Sequence, residues 1–580
     1  MADRWILRLD GTALPEKTLI GGKAWSIARM RALGLAVPPA FVVTTDACRE
    51  YLSSGSIPSD LEQELDAGIE WLESGTNRRF GSSESRLLLS VRSGAAISMP
   101  GMMDTILNLG MNDEAEMALA RESGLPAFAR DTHRRFLELY SNIVLKTPIG
   151  EEGSDVNPAS LRERIRDAGH DMPVSPRAQL SHAIAAVFGS WNSRRARRYR
   201  EHHNIPHDLG TAVTVQAMVF GNLDDNSGTG VIFSRNPLSG ERTPYGEYLP
   251  RAQGEDVVSG RFTPQSLDSL RISAASVHSE LLAATNLLEK EHADIQDIEF
   301  TVQEGRLYLL QARSAKRAPN AAVRAAVEMV AEGMISIDTA LSRVTSEQVR
   351  SMLFPRLAEG ADRDATVLAR GVGACPGVAS GVFVHEADEA ERRAAKGEAV
   401  ILVRKTTSPD DIHGMIAAKA IVTEQGGSTS HAAVVSRALG RPCVVGVGSV
   451  SALRPGVMGT VDGGGVVYAG SLPVEAPDEE HDPHLRQLIE WARVRSPVAV
   501  LRPSGAHEIG DRRSDYVDLD AQLTAVDNSS LAAVLKGMKT ARGAILATPE
   551  AARQAAACGV KTIVTEPVLP ALLAMLGAKS

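Results

Sequence analysis

Hydrophobic and polar positions follow three regimes along the chain. From residue 1 to about 355, helical and strand periodicities are interleaved and separated by segments bearing Gly and Arg. Within this part Leu87-Leu-Leu-Ser-Val-Arg92 reads as a buried strand that ends in an arginine, with a Gly-containing loop behind it. Residues 296–313 alternate as a hairpin with Gly305 at the turn, and a helical stretch from Ala321 to Leu353 follows. The polar segment Arg356–Ala365 reads as a linker. A block from about Thr366 to Leu472 then carries short apolar strands such as Val400–Val403 and Cys443–Val445. A second linker, Pro473–Pro483, is acidic and contains proline. The last part alternates again, with strands predicted at Val498–Leu501, Ala544–Leu546 and Thr562–Val564 and helices at Leu531–Met538, Ala551–Cys558 and Leu569–Leu576. This final unit is far smaller than the roughly 250 residues of a complete (β/α)₈ barrel. The pattern predicts an α/β multidomain protein with units at 1–355 (a helical insertion near 110–200 and a helical tail at 320–355), 366–472 and 485–580.

The most pointed chemistry lies in the middle block. Thr423-Glu-Gln-Gly-Gly-Ser-Thr-Ser-His431 follows an apolar run ending at Val422 and opens a helical pattern through Ala432, Val435 and Leu439. Gly426 and Gly427 permit a tight strand-to-helix turn, and Thr429 or Ser430 can cap the helix. His431 therefore falls at a helix N-terminus, where free N–H groups and the helix dipole favour an anion such as a phosphate carried on the imidazole.

The first part supplies residues suited to a nucleotide. Gly21-Gly22-Lys23 opens a helix, and the lysine can reach phosphate as a mobile point charge. The loop Ser98-Met-Pro-Gly-Met-Met-Asp-Thr105, with Met102, Met103, Asp104 and Thr105, combines small residues with methionines and suits backbone access to phosphates. In the hairpin, Asp297 and Glu299 share one face of a strand, as do Gln311 and Arg313. For both pairs to share a face of the hairpin the loop must hold an odd number of residues, so a three-residue loop, Gln303-Glu304-Gly305, is expected. Carboxylate and amide oxygens there can hold Mg²⁺ while the arginine meets phosphate.

Composition narrows the setting. A formal net charge of -9 leaves no basic footprint for nucleic acid. Four cysteines, Cys48, Cys375, Cys443 and Cys558, are scattered without CxxC spacing, which fits reduced structural thiols. No signal-peptide pattern and no run of 18 apolar residues occur, so a soluble, cytoplasmic protein without membrane partners is expected.

Taken together these segments resemble the pyruvate, phosphate dikinase family over about residues 1–490. The resemblance is carried by Gly21-Gly-Lys, Ser90-Val-Arg-Ser-Gly, Met99-Pro-Gly-Met-Met-Asp-Thr-Ile-Leu-Asn-Leu-Gly, Tyr245-Gly-Glu-Tyr-Leu, Gln296-Asp-Ile-Glu-Phe and Gly427-Ser-Thr-Ser-His-Ala-Ala-Val-Val. It implies an ATP-grasp-like nucleotide domain followed by a swivelling phosphohistidine domain. Lys23, Arg92, Asp297, Glu299, Gln311 and Arg313 would bind ATP and Mg²⁺, Glu247 would line the same cleft, and the Met99–Asp104 loop would close on the phosphates. His431, flanked by Thr429 and Ser430, would take a pyrophosphoryl group from ATP, pass one phosphoryl to inorganic phosphate and keep the other for pyruvate or a related small acid. The arginine, metal-carboxylate and cysteine motifs of the family's acceptor barrel do not occur in residues 490–580. That leaves three readings: a dikinase whose acceptor domain is a separate protein or a reduced substitute, a phosphotransferase acting on another small molecule, or a phosphocarrier or regulatory protein. A homodimer is compatible with each.

Overall fold

The computed structural model describes residues 5–82, 84–97, 99, 104–149, 157–258, 262–353, 356–358, 360–439, 441–475, 477–505, 515–519 and 528–576. Its first part is built on two antiparallel sheets. One sheet places Ile6–Arg8, Ala40–Val43, Ala212–Ala217, Leu89–Gly94 and Thr105–Leu109 side by side in that order. The other runs Gln265–Ser266, Tyr245–Pro250, Gly228–Phe233, Gln296–Gln303 and Arg306–Ser314. The helices expected near 110–200 cover the outer face of the first sheet, burying Phe136, Tyr140, Ile184 and Phe188 against Phe41, Val91 and Val215. Side chains cap four of them, with Asn112, Asn157, Ser175 and Ser193 accepting from the backbone N–H of Ala115, Ala159, Ala178 and Ala196. Between the two sheets lies the helix Lys17–Ala32, whose Ile20, Ala24 and Ile27 share a core with Val42, Ile232, Phe300 and Leu309.

The middle block is an eight-stranded sheet whose central strands, Val378–Val384, Ala399-flanked Val400–Arg404, Ala420–Thr423 and Cys443–Val445, run parallel. Their continuous apolar runs are explained by burial on both faces, against Ala390, Met415 and Ala433 on one side and Phe383, Leu453 and Val461 on the other. The two expected linkers meet: Arg356–Leu357 pairs antiparallel with Val474–Glu475.

The final unit is a four-stranded parallel sheet, ordered Ala499–Leu501, Thr562–Val564, Thr540–Arg542 and Tyr516–Asp518. One expected strand is displaced. Residues 544–546 lie in a short 3₁₀ turn, Ala544–Ala547, and the strand is Thr540–Arg542, which the apolar pattern misses because Ala541 is its one buried apolar residue. The helical tail resolves into Pro319–Ala331, Ile337–Arg343 and Ser346–Met352. Its Val323, Leu341 and Val349 share a core with Leu488, Leu531, Ile563 and Leu572 of the final unit, while Ala325 and Met329 pack on Val231 and Phe233 of the first part. The tail thus bridges two units instead of belonging to the first alone. No helix among the described residues is long and apolar enough to cross a membrane.

Candidate functional site: a cleft between two sheets and a docked histidine

A cleft of about 660 Å³ opens between the two antiparallel sheets, lined among others by Lys23, Arg92, Thr105, Glu299, Gln311 and Arg313. Lys23 is delivered there by backbone contact. Gly21 interrupts its helix at φ 75°, and a Cβ on it would stand 2.0 Å from the Gly94 carbonyl oxygen. Gly22 N–H donates to the Ala95 carbonyl at 2.9 Å, which pins Lys23 beside the end of the Arg92 strand. One turn along the same helix face, Ser26 Oγ accepts from Ala312 N–H at 2.9 Å and ties the helix to the hairpin.

The hairpin brings its four polar residues to one face by a different route from the three-residue loop. Gln303 pairs with Arg306, so the loop has two residues, Glu304 and Gly305, both with positive φ (51° and 73°). The odd residue sits in the strand instead: Phe300 pairs with Leu309 but Glu299 pairs with Gln311, leaving Leu310 as a bulge. Beyond it Asp297 faces Arg313 and Glu299 faces Gln311.

These groups are pre-paired. Arg92 Nη2 donates to Glu299 Oε2 at 2.9 Å and to Gln311 Oε1 at 3.3 Å, and Arg313 Nε donates to Asp297 Oδ2 at 2.8 Å. Burial alone would raise the Glu299 carboxyl, but Arg92, Arg313 and Lys23 together hold it below the usual range. Burial, with Arg92 and Arg313 nearby, pushes Lys23 well below the ordinary lysine range despite Glu299. Asp297 Oδ1 is buried with no hydrogen-bond partner, an arrangement that leaves one carboxylate oxygen free for a cation. Among the described residues no three His, Cys, Asp or Glu groups cluster as a metal cage.

Met102 and Met103 lie outside the described residues. Asp104 is paired with Arg195. Thr105 lines the cleft opposite Arg92 in the sheet register.

The strand, Gly turn and helix around His431 form as the sequence predicts, with the strand Ala420–Thr423, Gly426 at φ 111° and the helix His431–Leu439. The cap does not. Thr429 Oγ1 donates to Glu247 Oε2 at 2.6 Å, and Ser430 Oγ is buried without a partner. Glu247, expected in the nucleotide cleft, is engaged 2.7 Å from Ser428 Oγ, so its carboxylate belongs to the junction between the two units. Sequence spacing could not show this, because the partners are 181 residues apart.

The His431 ring is oriented by Thr407, whose Oγ1 lies 3.2 Å from Nδ1, while Nε2 is buried without a partner. Burial lowers the imidazole below its usual range, with Asp411 opposing. Thr407 lies 24 residues before His431 in the chain, so only the fold reveals that it orients the ring. Val434, on the same helix face one turn beyond His431, lines the cleft. The helix is therefore docked against the cleft through Val434, while His431 itself is not among the residues that line it.

Comparison with known proteins agrees with this layout. The model of the pyruvate phosphate dikinase AMP/ATP-binding domain matches residues 17–74 and 53–278, and that of the PEP-utilising enzyme mobile domain matches 396–465. Pyruvate, phosphate dikinase of Rhizobium meliloti (strain 1021) is 40% identical over 600 residues, covering 93% of this chain and 66% of that protein. Pyruvate, phosphate dikinase 2 of Oryza sativa subsp. japonica is 40% identical over 559 residues, 88% of this chain and 63% of the relative. The Clostridium symbiosum enzyme of the same name is 43% identical over 472 residues, 77% and 54% respectively. The chain thus spans less than two thirds of the length of these relatives.

Proposed function

Because the chain belongs to the pyruvate, phosphate dikinase family, we propose that it is an ATP-driven phosphotransferase working through a phosphorylated His431. In this reaction His431 Nε2 attacks the β-phosphorus of ATP. The N–P bond forms as the bond from that phosphorus to the oxygen bridging to the α-phosphorus breaks, and the oxygen leaves with AMP. The γ-phosphoryl then passes to inorganic phosphate as pyrophosphate, and the retained phosphoryl goes to pyruvate or a related small acid. The observation that carries the reading is the docked helix: Nε2 has no partner while Val434 beside it lines the cleft.

The chain's own groups suit each part of the task. With Nδ1–H donating to Thr407 Oγ1, the lone pair is left on Nε2, and a lowered imidazole pKa keeps it available near neutral pH. Lys23, Arg92 and Arg313 converge on the cleft as cations for the phosphates. Asp297 Oδ1, the Glu299 carboxylate and the Gln311 amide oxygen fit Mg²⁺, which keeps several water or phosphate ligands and needs few from the protein. Bound there, Mg²⁺ would neutralise charge on the transferring phosphates. The acceptor station would be provided by the final α/β unit or by a separate protein, in the cytoplasm.

ATP labelled at the β-phosphorus tests the reading. Acid-labile, base-stable label on the protein together with AMP is expected, and His431→Ala should lose both while still binding ATP. AMP release that survives His431→Ala would reject it.

A further inference from the structure

The Glu247 carboxylate reaches from the strand Tyr245–Pro250 to the turn just before His431. It accepts from Ser428 N–H at 3.2 Å, Ser428 Oγ at 2.7 Å and Thr429 Oγ1 at 2.6 Å. Tyr245 Oη adds a hydrogen bond to Ser428 Oγ at 2.8 Å. The fit is close: a Cβ on Gly427 would stand 2.9 Å from Glu247 Oε1. Ser428 and Thr429 are 1% and 5% exposed, so these bonds are shielded from water.

The docked surfaces are complementary in charge. The histidine unit presents the positive end of a nine-residue helix and Arg437, whose guanidinium lies 5.9 Å from the Phe233 ring centroid. The nucleotide unit answers with Glu247. Phosphorylation of His431 would reverse that balance. A phosphoryl group on Nε2 brings nearly two negative charges to the first helical residue, two positions from Thr429, and competes with Glu247 for the same helix terminus.

From this we infer that Glu247 is a positioning residue with a charge-sensitive hold: it aims neutral His431 at the nucleotide and lets go once that histidine is phosphorylated. The inference rests on the phosphohistidine reading above. It adds that the transfer itself undoes the docking, so that no separate signal is needed for the histidine unit to leave.

Hydrogen exchange of the Ser428 amide, which donates to Glu247, reports the hold directly. The full chain is compared unmodified, after ATP, and after chemical phosphorylation with phosphoramidate, with acid-labile phosphate counted in each sample and His431→Ala correcting for label elsewhere. Exchange at Ser428 should accelerate by about tenfold or more on phosphorylation of the wild type. In Glu247→Gln, which keeps an acceptor without the charge, the change should be less than about threefold. Glu247→Ala should exchange fast in both states. Wild-type protection that survives phosphorylation, or a release in Glu247→Gln as large as the wild type's, would overturn the inference. Label and release with phosphoramidate but not with ATP would instead refute the proposed ATP chemistry and leave the latch standing.

Discussion

Replacing Asp297 by Asn separates what the cleft does for a nucleotide from what it does for the fold. Asp297 is 4% exposed, with one oxygen accepting from Arg313 and the other without a partner. The substitution keeps the shape and removes the charge. Weakening a charge-assisted bond costs about 1.5–3 kcal/mol. Loss of one of two carboxylates from a Mg²⁺ site adds to it, and a total of about 3–4 kcal/mol is expected in the transition state, or on the order of 150- to 1,000-fold in rate. Single-turnover quench with β-labelled ATP, titrated with Mg²⁺, measures it. The half-saturating Mg²⁺ concentration should rise by more than about tenfold, since a carboxylate ligand has gone.

Stability without ligands should respond differently. The bond from Arg313 is weakened in the ligand-free protein too, so Asn should lower the unfolding free energy by about 1.5–3 kcal/mol, less than its effect on the reaction. What should collapse is the rise in Tm that Mg-ATP confers by binding the folded state. An Asp297→Asn protein with wild-type Mg²⁺ dependence and a full thermal shift would show that this side chain is not a cation ligand, whatever its burial.

Three further outcomes follow from other positions. Lys23 lies well below the ordinary lysine range, and a triphosphate beside it must raise it again; ATP binding should therefore take up a proton at alkaline pH, visible by calorimetry in buffers of different ionisation enthalpy and absent in Lys23→Met. His431 is lowered by burial, so the acid limb of phosphohistidine formation should fall below the free-imidazole value of about 6.5. Protonation removes the nucleophile only below that limb, and a limb at or above the free value would contradict the burial argument. Gly21→Ala would set a Cβ 2.0 Å from the Gly94 carbonyl oxygen at a positive φ, costing on the order of 3 kcal/mol of stability by strain and clash, read as a drop in Tm.

Local periodicity revealed those parts of the site that depend on neighbours in sequence. The strand, glycine turn and helix around His431 could be read because each piece uses residues a few positions apart. Face-sharing by Asp297, Glu299, Gln311 and Arg313 was equally legible, since it follows from parity. Its cause was not: an extra residue in a loop and an extra residue at Leu310 satisfy the same parity, and only the pairing of Phe300 with Leu309 distinguishes them. Glu247 illustrates the other limit. As a carboxylate in a family-like motif near nucleotide residues it looks like a ligand to the nucleotide, but its partners come from a different unit. The helical tail was hidden for a related reason, because both of its faces are apolar and periodicity does not say which core each one enters.

The way the units are joined bears on how His431 could travel. Both connections of the histidine unit pass through one ribbon, Arg356–Leu357 against Val474–Glu475, extended by a bond from Ala358 N–H to the Pro473 carbonyl at 3.0 Å. On the other side of that ribbon the helix Pro319–Ala331 is fixed twice. Its Val323 and Ala326 enter the core of the final unit, and its Ala325 and Met329 enter that of the nucleotide unit. Fully buried Arg235 reinforces the second attachment by donating to Glu289 at 2.9 Å and to Glu332, just beyond the helix, at 2.8 Å. Moving the final unit relative to the nucleotide unit would expose those cores and strand a buried guanidinium, a cost of several kcal/mol. Among the described residues, turning the histidine unit on its ribbon breaks docking contacts at Glu247, Tyr245 and Phe233. Paired linkers also move together, which favours rotation about one axis over free tumbling. On the proposed reading the frame would stay put while the histidine unit turned, and an acceptor station would lie on the arc that this ribbon allows.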